Sequence, residues 1–142
     1  MAVEYFAGDR RMPDGYAPPA SVDELRRRYD AGERLFPDID LPDGTRMRGI
    51  VLAGAEFWGG MIYDADVKAA DLRGCRFDNC NVKCTDFRSA DLRGASFRGA
   101  SVCAACWEGA DLTEASFEGA NYYGFVIKND DDFPWCLPKH KR

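Results

Sequence analysis

The chain has 142 residues, enough for one domain with its own core, and its 46% hydrophobic residues, 30% charged residues and net charge of −5 are ordinary for a soluble protein. No run approaches the roughly 18 apolar residues of a membrane span, and the N-terminal MAVEYFAGDRR lacks the apolar core of a secretory signal. We therefore expect a cytoplasmic protein, without membrane contact, whose cysteines are reduced.

Two N-terminal elements are predicted ahead of the regular part of the chain. Residues 1–20 contain several glycines and prolines and no periodicity, which predicts an extended or mobile arm. Residues 21–32 are predicted to form a short helix, because Ser21 and Glu24 have the spacing of a capping box and Gly32 stops the helix. The apolar face of this helix consists of Val22, Leu25 and Tyr29.

A repeat of five residues dominates the rest of the sequence. Residues 90–119 read ADLRG, ASFRG, ASVCA, ACWEG, ADLTE and ASFEG, with a small residue opening each block and a bulky apolar residue at its centre. In this register the chain has 17 blocks, of which ten open on alanine and nine close on glycine. A period of five fits neither a helix nor an ordinary strand and indicates a repeat architecture.

The central residues also repeat every 20 positions. Two columns are chemically pure and two are mixed, and all 17 members are apolar or aromatic. The columns are Phe57, Phe77, Phe97 and Phe117; Leu52, Leu72, Leu92 and Leu112; Ile62, Val82, Val102 and Tyr122; and Met47, Val67, Phe87, Trp107 and Ile127.

These A(D/N)LxG-like blocks, spanning residues 45–129, resemble the pentapeptide-repeat family. The resemblance implies an all-β fold, a right-handed quadrilateral β-helix in which each block forms one side and four blocks form one coil. Side chains alternate along an extended backbone, so the opening and central residues of each block should point inward. The β-helix is predicted to span residues 33–129, with residues 21–32 as a capping helix, because each end of a solenoid needs a cap.

The first blocks are irregular. Phe36 and Leu41 are five residues apart, but Leu41 and Met47 are six apart, so one residue is inserted near Gly44. Allowing for it, Phe36 aligns with the phenylalanine column and Leu41 with the column of Ile62, which predicts an imperfect partial coil.

The last blocks also depart from the pattern. Phe125 is too large for an opening position and should mark the end of the coil. Residues 130–142 are predicted to form a C-terminal cap and a basic tail, with Phe133, Trp135 and Leu137 as an apolar hook. This hook is either a lid over the last coil or a homodimer contact, the latter implied by the end-to-end dimers of several family members.

Function should depend on the side chains that point outward, because the inward ones form the core. One set of outward residues on two adjacent sides contains several aspartates. Aspartates alternate with Lys68, Arg73, Arg88 and Arg93 on two adjacent sides, which is typical of surface ion pairs. The resemblance also implies a second interpretation, since some family members mimic duplex DNA and protect DNA gyrase. The DNA-mimic candidates are Asp66, Asp71, Asp86, Asp91 and Asp111. Residues 45–129 hold 10 basic and 11 acidic side chains, which gives little of the unneutralised charge that mimicry needs.

A second outward set is aromatic. Trp58, Met61, Tyr63 and Tyr123 are predicted to lie on or beside one weakly charged side, and exposed aromatic residues often mark a partner surface. The alternative is that the first three are covered by the N-terminal arm or helix. We therefore predict a non-catalytic module that presents a rigid surface to a protein partner, with DNA mimicry as the alternative function.

Catalysis and cofactors have little support in the sequence. The only histidine, His140, lies in the tail, so the coil cannot assemble a Ser-His or Cys-His pair. Cys75 and Cys80 occupy inward positions and should be inert, whereas Cys84, Cys103 and Cys106 should lie near one corner. These three could hold zinc or form a disulfide, but zinc lacks a fourth ligand. The four-residue basic tail is too short to bind nucleic acid by itself.

Overall fold

The computed structural model describes residues 12–128, which wind into successive square coils behind one short helix. Residues 1–11 of the predicted arm and the predicted hook of Phe133, Trp135 and Leu137 lie outside the described residues, so these parts of the domain division stay predictions. Within residues 12–128, no helix has the length and apolarity needed to cross a membrane.

The helix, α1, spans Val22–Asp30. It begins at Ser21, whose hydroxyl accepts a hydrogen bond from the amide of Glu24 at 3.1 Å, as a capping box requires. The Glu24 carboxylate accepts from the amide of Ala20 rather than from that of Ser21, one residue earlier than the motif predicts. Leu25 is buried in the main core, and the Tyr29 hydroxyl donates to the Ala53 carbonyl at 2.8 Å. The apolar face of α1 is therefore packed against the first coil.

Each coil contains 20 residues, as the sequence predicts. Parallel bridges join residues 20 positions apart, from Arg46–Asp66 to Ser101–Asn121. Backbone hydrogen bonds run between the coils; for example, the Met47 amide donates to the Asp66 carbonyl at 2.7 Å. Because each side is only a few residues long, coils stack through these isolated bridges instead of long strands. We name the four sides after their central residues: phenylalanine (57, 77, 97, 117), tyrosine (62, 82, 102, 122), tryptophan (47, 67, 87, 107) and leucine (52, 72, 92, 112).

The corners explain the closing glycines. At nearly every corner of the regular coils the amide of the next opening residue donates to the preceding central carbonyl, as from Ile50 to Met47 at 3.0 Å. The closing residue has positive φ, 72° at Gly49 and 57° at Ala69. Glycine adopts this conformation without steric cost, whereas alanine is strained there.

The core is a column of rings surrounded by smaller side chains. The rings of Phe57, Phe77, Phe97 and Phe117 stack with centroids 4.9–5.5 Å apart. Trp107 stacks on Phe87 at 4.6 Å and meets Phe97 edge-on at 5.2 Å. Buried alanines at the opening positions leave room for these rings.

The predicted partial coil is present at the N-terminal end. Leu35 bridges Glu56 and Asp40 bridges Met61, and the ring of Phe36 stacks on Phe57 at 5.9 Å. This partial coil covers only the phenylalanine and tyrosine sides of the first full coil.

The C-terminal end differs from the sequence prediction in one respect. Strands β1 (Asn121–Tyr122) and β2 (Phe125–Val126) form an antiparallel hairpin, and the Ile127 amide donates to the Ala120 carbonyl at 2.9 Å. Phe125 does mark the end of the coil. Ile127 is buried, but assigning it to a further coil above Trp107 is wrong, because the chain reverses after Tyr122 and brings Ile127 back over the last coil.

Candidate partner-binding surface

The second position of each block has a local structural role. Asp86 accepts from the amide of Arg88 at 3.1 Å, and Asn81 accepts from the amide of Lys83 at the same distance. The same contact recurs at Asp66, Asp71, Asp91 and Asp111. A side-chain oxygen two residues before a corner thus satisfies a backbone N–H that the coil leaves unpaired. This explains why aspartate or asparagine is frequent at that position.

On the leucine side, the aspartates form a ladder with arginines. Arg73 donates two hydrogen bonds to Asp71, at 2.8 and 2.7 Å, and Arg93 donates two to Asp91, at 2.8 and 2.6 Å. Arg73 also approaches Asp91 at 3.9 Å, and Arg93 approaches Asp111 at 4.0 Å. The bonded guanidinium groups lower the pKa values of Asp71 and Asp91 below their usual range.

A second ladder follows the tryptophan side. Arg88 donates two hydrogen bonds to Asp86, at 2.9 and 2.7 Å, which lower the pKa of that carboxyl group. Lys68 lies 3.9 Å from Asp66 and 3.6 Å from Asp86. Asp66 also accepts from Arg48 at 3.1 Å. Together the two ladders bring all five DNA-mimic candidates onto adjacent sides, as predicted, and place a cation within about 4 Å of each of them.

The phenylalanine side carries ion pairs as well. Arg76 lies 3.7 Å from Asp78, and Arg98 donates to Glu118 at 2.8 Å. The amide of Arg98 donates to Asp78 at 3.2 Å. Three of the four sides therefore carry ion pairs between their own side chains.

The tyrosine side is different. Its second positions are Met61, Asn81, Ser101 and Asn121, and the positions after its central residues are Tyr63, Lys83, Cys103 and Tyr123. Within the described residues, no ion pair joins side chains on this side. Met61 is 44% exposed and Tyr123 is 66% exposed, whereas Tyr63 is half-buried.

The structure brings three of the four predicted partner-binding residues onto this side. Trp58 lies around the corner on the phenylalanine side and is half-buried. Its carbonyl accepts from the amide of Asp38 in the partial coil at 3.2 Å. Tyr63 and Tyr123 are separated by three coil spacings, or about 14 Å.

Two further exposed apolar residues extend the tyrosine side, and the sequence pattern missed them. Phe125 is 54% exposed and Val126 is 51% exposed, and both lie in β2, the returning strand of the hairpin. The turn residues Tyr123 and Gly124 both have positive φ, 51° and 80°, as a two-residue hairpin requires. The repeat register does not mark this hairpin, because Gly124 occupies a closing position like the glycines of the regular corners.

The cysteines separate into two groups. Cys75 and Cys80 are buried, which confirms their inward positions, and desolvation raises their thiol pKa values to about 12, which supports the prediction that they are inert. Cys84 and Cys103 are half-buried free thiols on the tyrosine side, and Cys106 is exposed on the tryptophan side, where it bridges Asp86. Within residues 12–128, no three His, Cys, Asp or Glu side chains are grouped so as to hold a metal ion.

Comparison with known proteins identifies the repeat. The family model for pentapeptide repeats matches eight copies in the chain, over residues 70–106 and 91–121. The solved pentapeptide repeat protein Rfr23 from the cyanobacterium Cyanothece 51142 is similar with a TM-score of 0.60 at 17% identity, covering 65% of this chain and 63% of Rfr23. The fold of these proteins is a right-handed β-helix solenoid.

Two further solved structures have lower TM-scores. A trypsin-treated variant of QnrB1, a plasmid-mediated fluoroquinolone resistance protein, has a TM-score of 0.49 at 25% identity, covering 53% of this chain and 39% of that one. The pentapeptide repeat protein alr5209 from Nostoc PCC 7120 has a TM-score of 0.40 at 27% identity, covering 75% of this chain and 84% of that one. The chain spans less than two thirds of the length of Rfr23 and of the QnrB1 variant. No curated protein matches the chain significantly in sequence.

Proposed function

Because this chain is a pentapeptide-repeat protein, we propose that it is a non-catalytic interaction module that presents the tyrosine side of its β-helix to a protein partner. The contacting residues are Met61, Tyr63 and Tyr123, with Trp58 at the edge. The observation that carries the proposal is the distribution of charge pairs. Each of the other three sides carries ion pairs between its own side chains, whereas the tyrosine side leaves apolar and aromatic side chains exposed.

The composition of the tyrosine side fits a protein partner. Interface cores are enriched in tyrosine and methionine and depleted in charged residues. Uncharged Asn81, Ser101 and Asn121 lie between the apolar ends and supply hydrogen-bonding groups. Stacked coils hold the backbone in place, so binding would require little ordering of the surface.

The two ends of the β-helix belong to the same proposal. We assign α1 as the N-terminal cap, which the burial of Leu25 and the hydrogen bond from Tyr29 to Ala53 support. The hook of Phe133, Trp135 and Leu137 is assigned as a C-terminal cap or homodimer contact. Light scattering of the Trp135→Ser variant tests the dimer, since a dimer contact predicts a halved mass relative to the parent protein and a cap does not.

Partner capture tests the surface. The tagged protein and its Tyr63→Ser/Tyr123→Ser variant are incubated with lysate of the native host, and bound proteins are identified by mass spectrometry. Captured partners should be lost with the double variant. Val51→Ser is the matched control, because Val51 is 54% exposed on the opposite, leucine side. Equal capture by the double variant and the parent protein would contradict the assignment.

DNA mimicry through Asp66, Asp71, Asp86, Asp91 and Asp111 is the second candidate function, and salt distinguishes the two. A DNA gyrase or another DNA-binding protein held through these carboxylates should dissociate as salt rises. A partner held on the tyrosine side should resist salt, because the contact is mainly apolar. The paired charges of both ladders favour the tyrosine side.

A further inference from the structure

Two thiols of the tyrosine side lie in neighbouring coils. The amide of Cys84 donates to the carbonyl of Cys103 at 3.0 Å. A coil spacing of about 4.8 Å and a rise of about 3.3 Å per residue place their Cα atoms about 6 Å apart. Disulfide-bonded cysteines have Cα separations of about 4.4–6.8 Å. The backbone therefore holds both residues at a distance that a disulfide can span.

The two side chains make their contacts in opposite directions along the β-helix. The Cys84 sulfur lies 4.0 Å from the Tyr63 hydroxyl in the preceding coil, and this contact raises the pKa of Tyr63. The Cys103 sulfur accepts from the amide of Tyr123 in the following coil at 2.9 Å and lies 3.9 Å from the Asn121 side chain. Rotation of both side chains about their Cα–Cβ bonds would turn the sulfur atoms toward each other.

We propose that Cys84 and Cys103 form a reversible thiol–disulfide modification site. With hydrogen peroxide as the oxidant, one thiolate attacks the peroxide and becomes a sulfenic acid, and hydroxide leaves and takes up a proton as water. The second thiolate attacks that sulfur, the S–S bond forms as the S–O bond breaks, and the hydroxide that leaves takes up a proton to become a second water. The two sulfur atoms are oxidised together by two electrons, and the peroxide is reduced.

The other described cysteines are less suited to this pairing. Cys75 and Cys80 are buried, and each donates a hydrogen bond to a core carbonyl, that of Leu52 or Phe57. Cys106 follows Cys103 by three residues, but it lies past the corner on the tryptophan side, beside Asp86.

Oxidation would also change the tyrosine side. Moving the Cys103 sulfur breaks its contact with the Tyr123 amide, and moving the Cys84 sulfur removes the neighbour of the Tyr63 hydroxyl. An effect on partner capture rests on the proposed function, whereas formation of the disulfide does not.

Peptide mapping of the full chain tests the site without any partner. The reduced protein is treated with hydrogen peroxide, alkylated unfolded and digested with trypsin without reductant. Cleavage after Lys83 and Arg88 isolates Cys84, whereas Cys103 and Cys106 share one peptide, so variants are needed to separate them. We expect the Cys84 peptide linked to the Cys103 peptide. Apart from the alkyl group on Cys106, the linked species should be lighter than the two reduced peptides together by two hydrogen atoms.

The variants are chosen to preserve the fold. Cys84→Gly removes the thiol at a position where φ is 61°, which glycine adopts readily. Cys84→Gly and Cys103→Ser should abolish the linked peptide, whereas Cys106→Ser should retain it. A link from Cys84 to Cys106 or Cys136, a link between two chains, or two unlinked alkylated thiols after oxidation would overturn the proposal.

Discussion

Substitutions at Asp86 can separate two roles of the second-position aspartates, the hydrogen bond at the corner and the negative charge. Replacing Asp86 by asparagine keeps an oxygen that can accept from the amide of Arg88 but removes the negative charge. Asn81 makes this contact naturally at 3.1 Å, the distance also found for Asp86. Replacing Asp86 by alanine removes both the charge and the corner hydrogen bond.

The expected magnitudes follow from these contacts. Both variants remove the negative charge that pairs with Arg88 and Lys68, and surface ion pairs contribute about 0–1 kcal/mol to the free energy of unfolding. The alanine variant also leaves a backbone N–H without its side-chain acceptor, which costs about 1 kcal/mol more. Asp86→Asn should therefore lose less than about 1 kcal/mol and Asp86→Ala about 1–2 kcal/mol.

Urea unfolding followed by circular dichroism measures the difference. With a urea m-value of 1–3 kcal/mol/M, the midpoint of the alanine variant should lie roughly 0.3–1 M below that of the asparagine variant. Equal midpoints would refute a structural role for the corner hydrogen bond. An asparagine variant that is as stable as the parent protein but no longer competes with DNA for a captured partner would instead assign the carboxylate to function.

Three further predictions concern the core, the corners and the buried thiols. Phe97→Ala should lower the free energy of unfolding by about 3–5 kcal/mol, because the Phe97 ring stacks on two phenylalanine rings at 4.9 and 5.0 Å and meets two further rings edge-on. A loss below about 1 kcal/mol, measured by urea unfolding, would contradict this packing. Ala69→Gly should raise the free energy of unfolding by roughly 0.5–1 kcal/mol, since φ at Ala69 is 57° and glycine relieves that strain. A urea midpoint below that of the parent protein would contradict this prediction. Cys75 and Cys80 should resist iodoacetamide in the folded protein, and rapid alkylation of either thiol in the folded protein would contradict this. The free energy of unfolding that they contribute should fall as pH rises from about 9 to about 12, because only the unfolded thiols ionise in that range.

The paired carboxylates make the stability of the folded protein fall at low pH, whereas the buried thiols make it fall at high pH. Arg88 lowers the pKa of Asp86 in the folded chain, so the stabilisation is present above the unfolded aspartate pKa of about 3.9 and is lost as pH falls through the folded value. The Asp86→Asn variant should show a weaker loss of stability below about pH 4 than the parent protein. An identical acid dependence of the two unfolding curves would contradict the assignment of that pKa shift.

Most of the fold could be predicted because the five-residue and 20-residue periods are imposed by packing. Every central residue must fit beside its neighbours in the adjacent coils, so Phe97 and Leu92 each repeat in a chemically pure column. The reversal after Tyr122 could not be predicted in this way. Gly124 and Ile127 still fit the register of the repeat, and the hairpin differs from a regular corner mainly in the positive φ of Tyr123.

The surface was harder to predict because one residue type serves two purposes. The sequence allows two interpretations of Asp66, Asp71, Asp86, Asp91 and Asp111, as partners in surface ion pairs or, from the family resemblance, as DNA-mimic charges. In the structure each of them completes a corner and has a cation within about 4 Å. A composition count cannot separate a carboxylate that closes a turn from one directed at a partner.

The last coil has an excess of acidic residues. Residues 105–124 contain four acidic residues and no lysine or arginine. Of these four, Asp111 and Glu118 contact arginines of the preceding coil, whereas Glu108 and Glu114 are exposed at the C-terminal end. A surface that imitates DNA needs a continuous row of unneutralised charge, and the two ladder sides do not provide one. The aromatic tyrosine side therefore remains the better-supported binding surface of the regular coils.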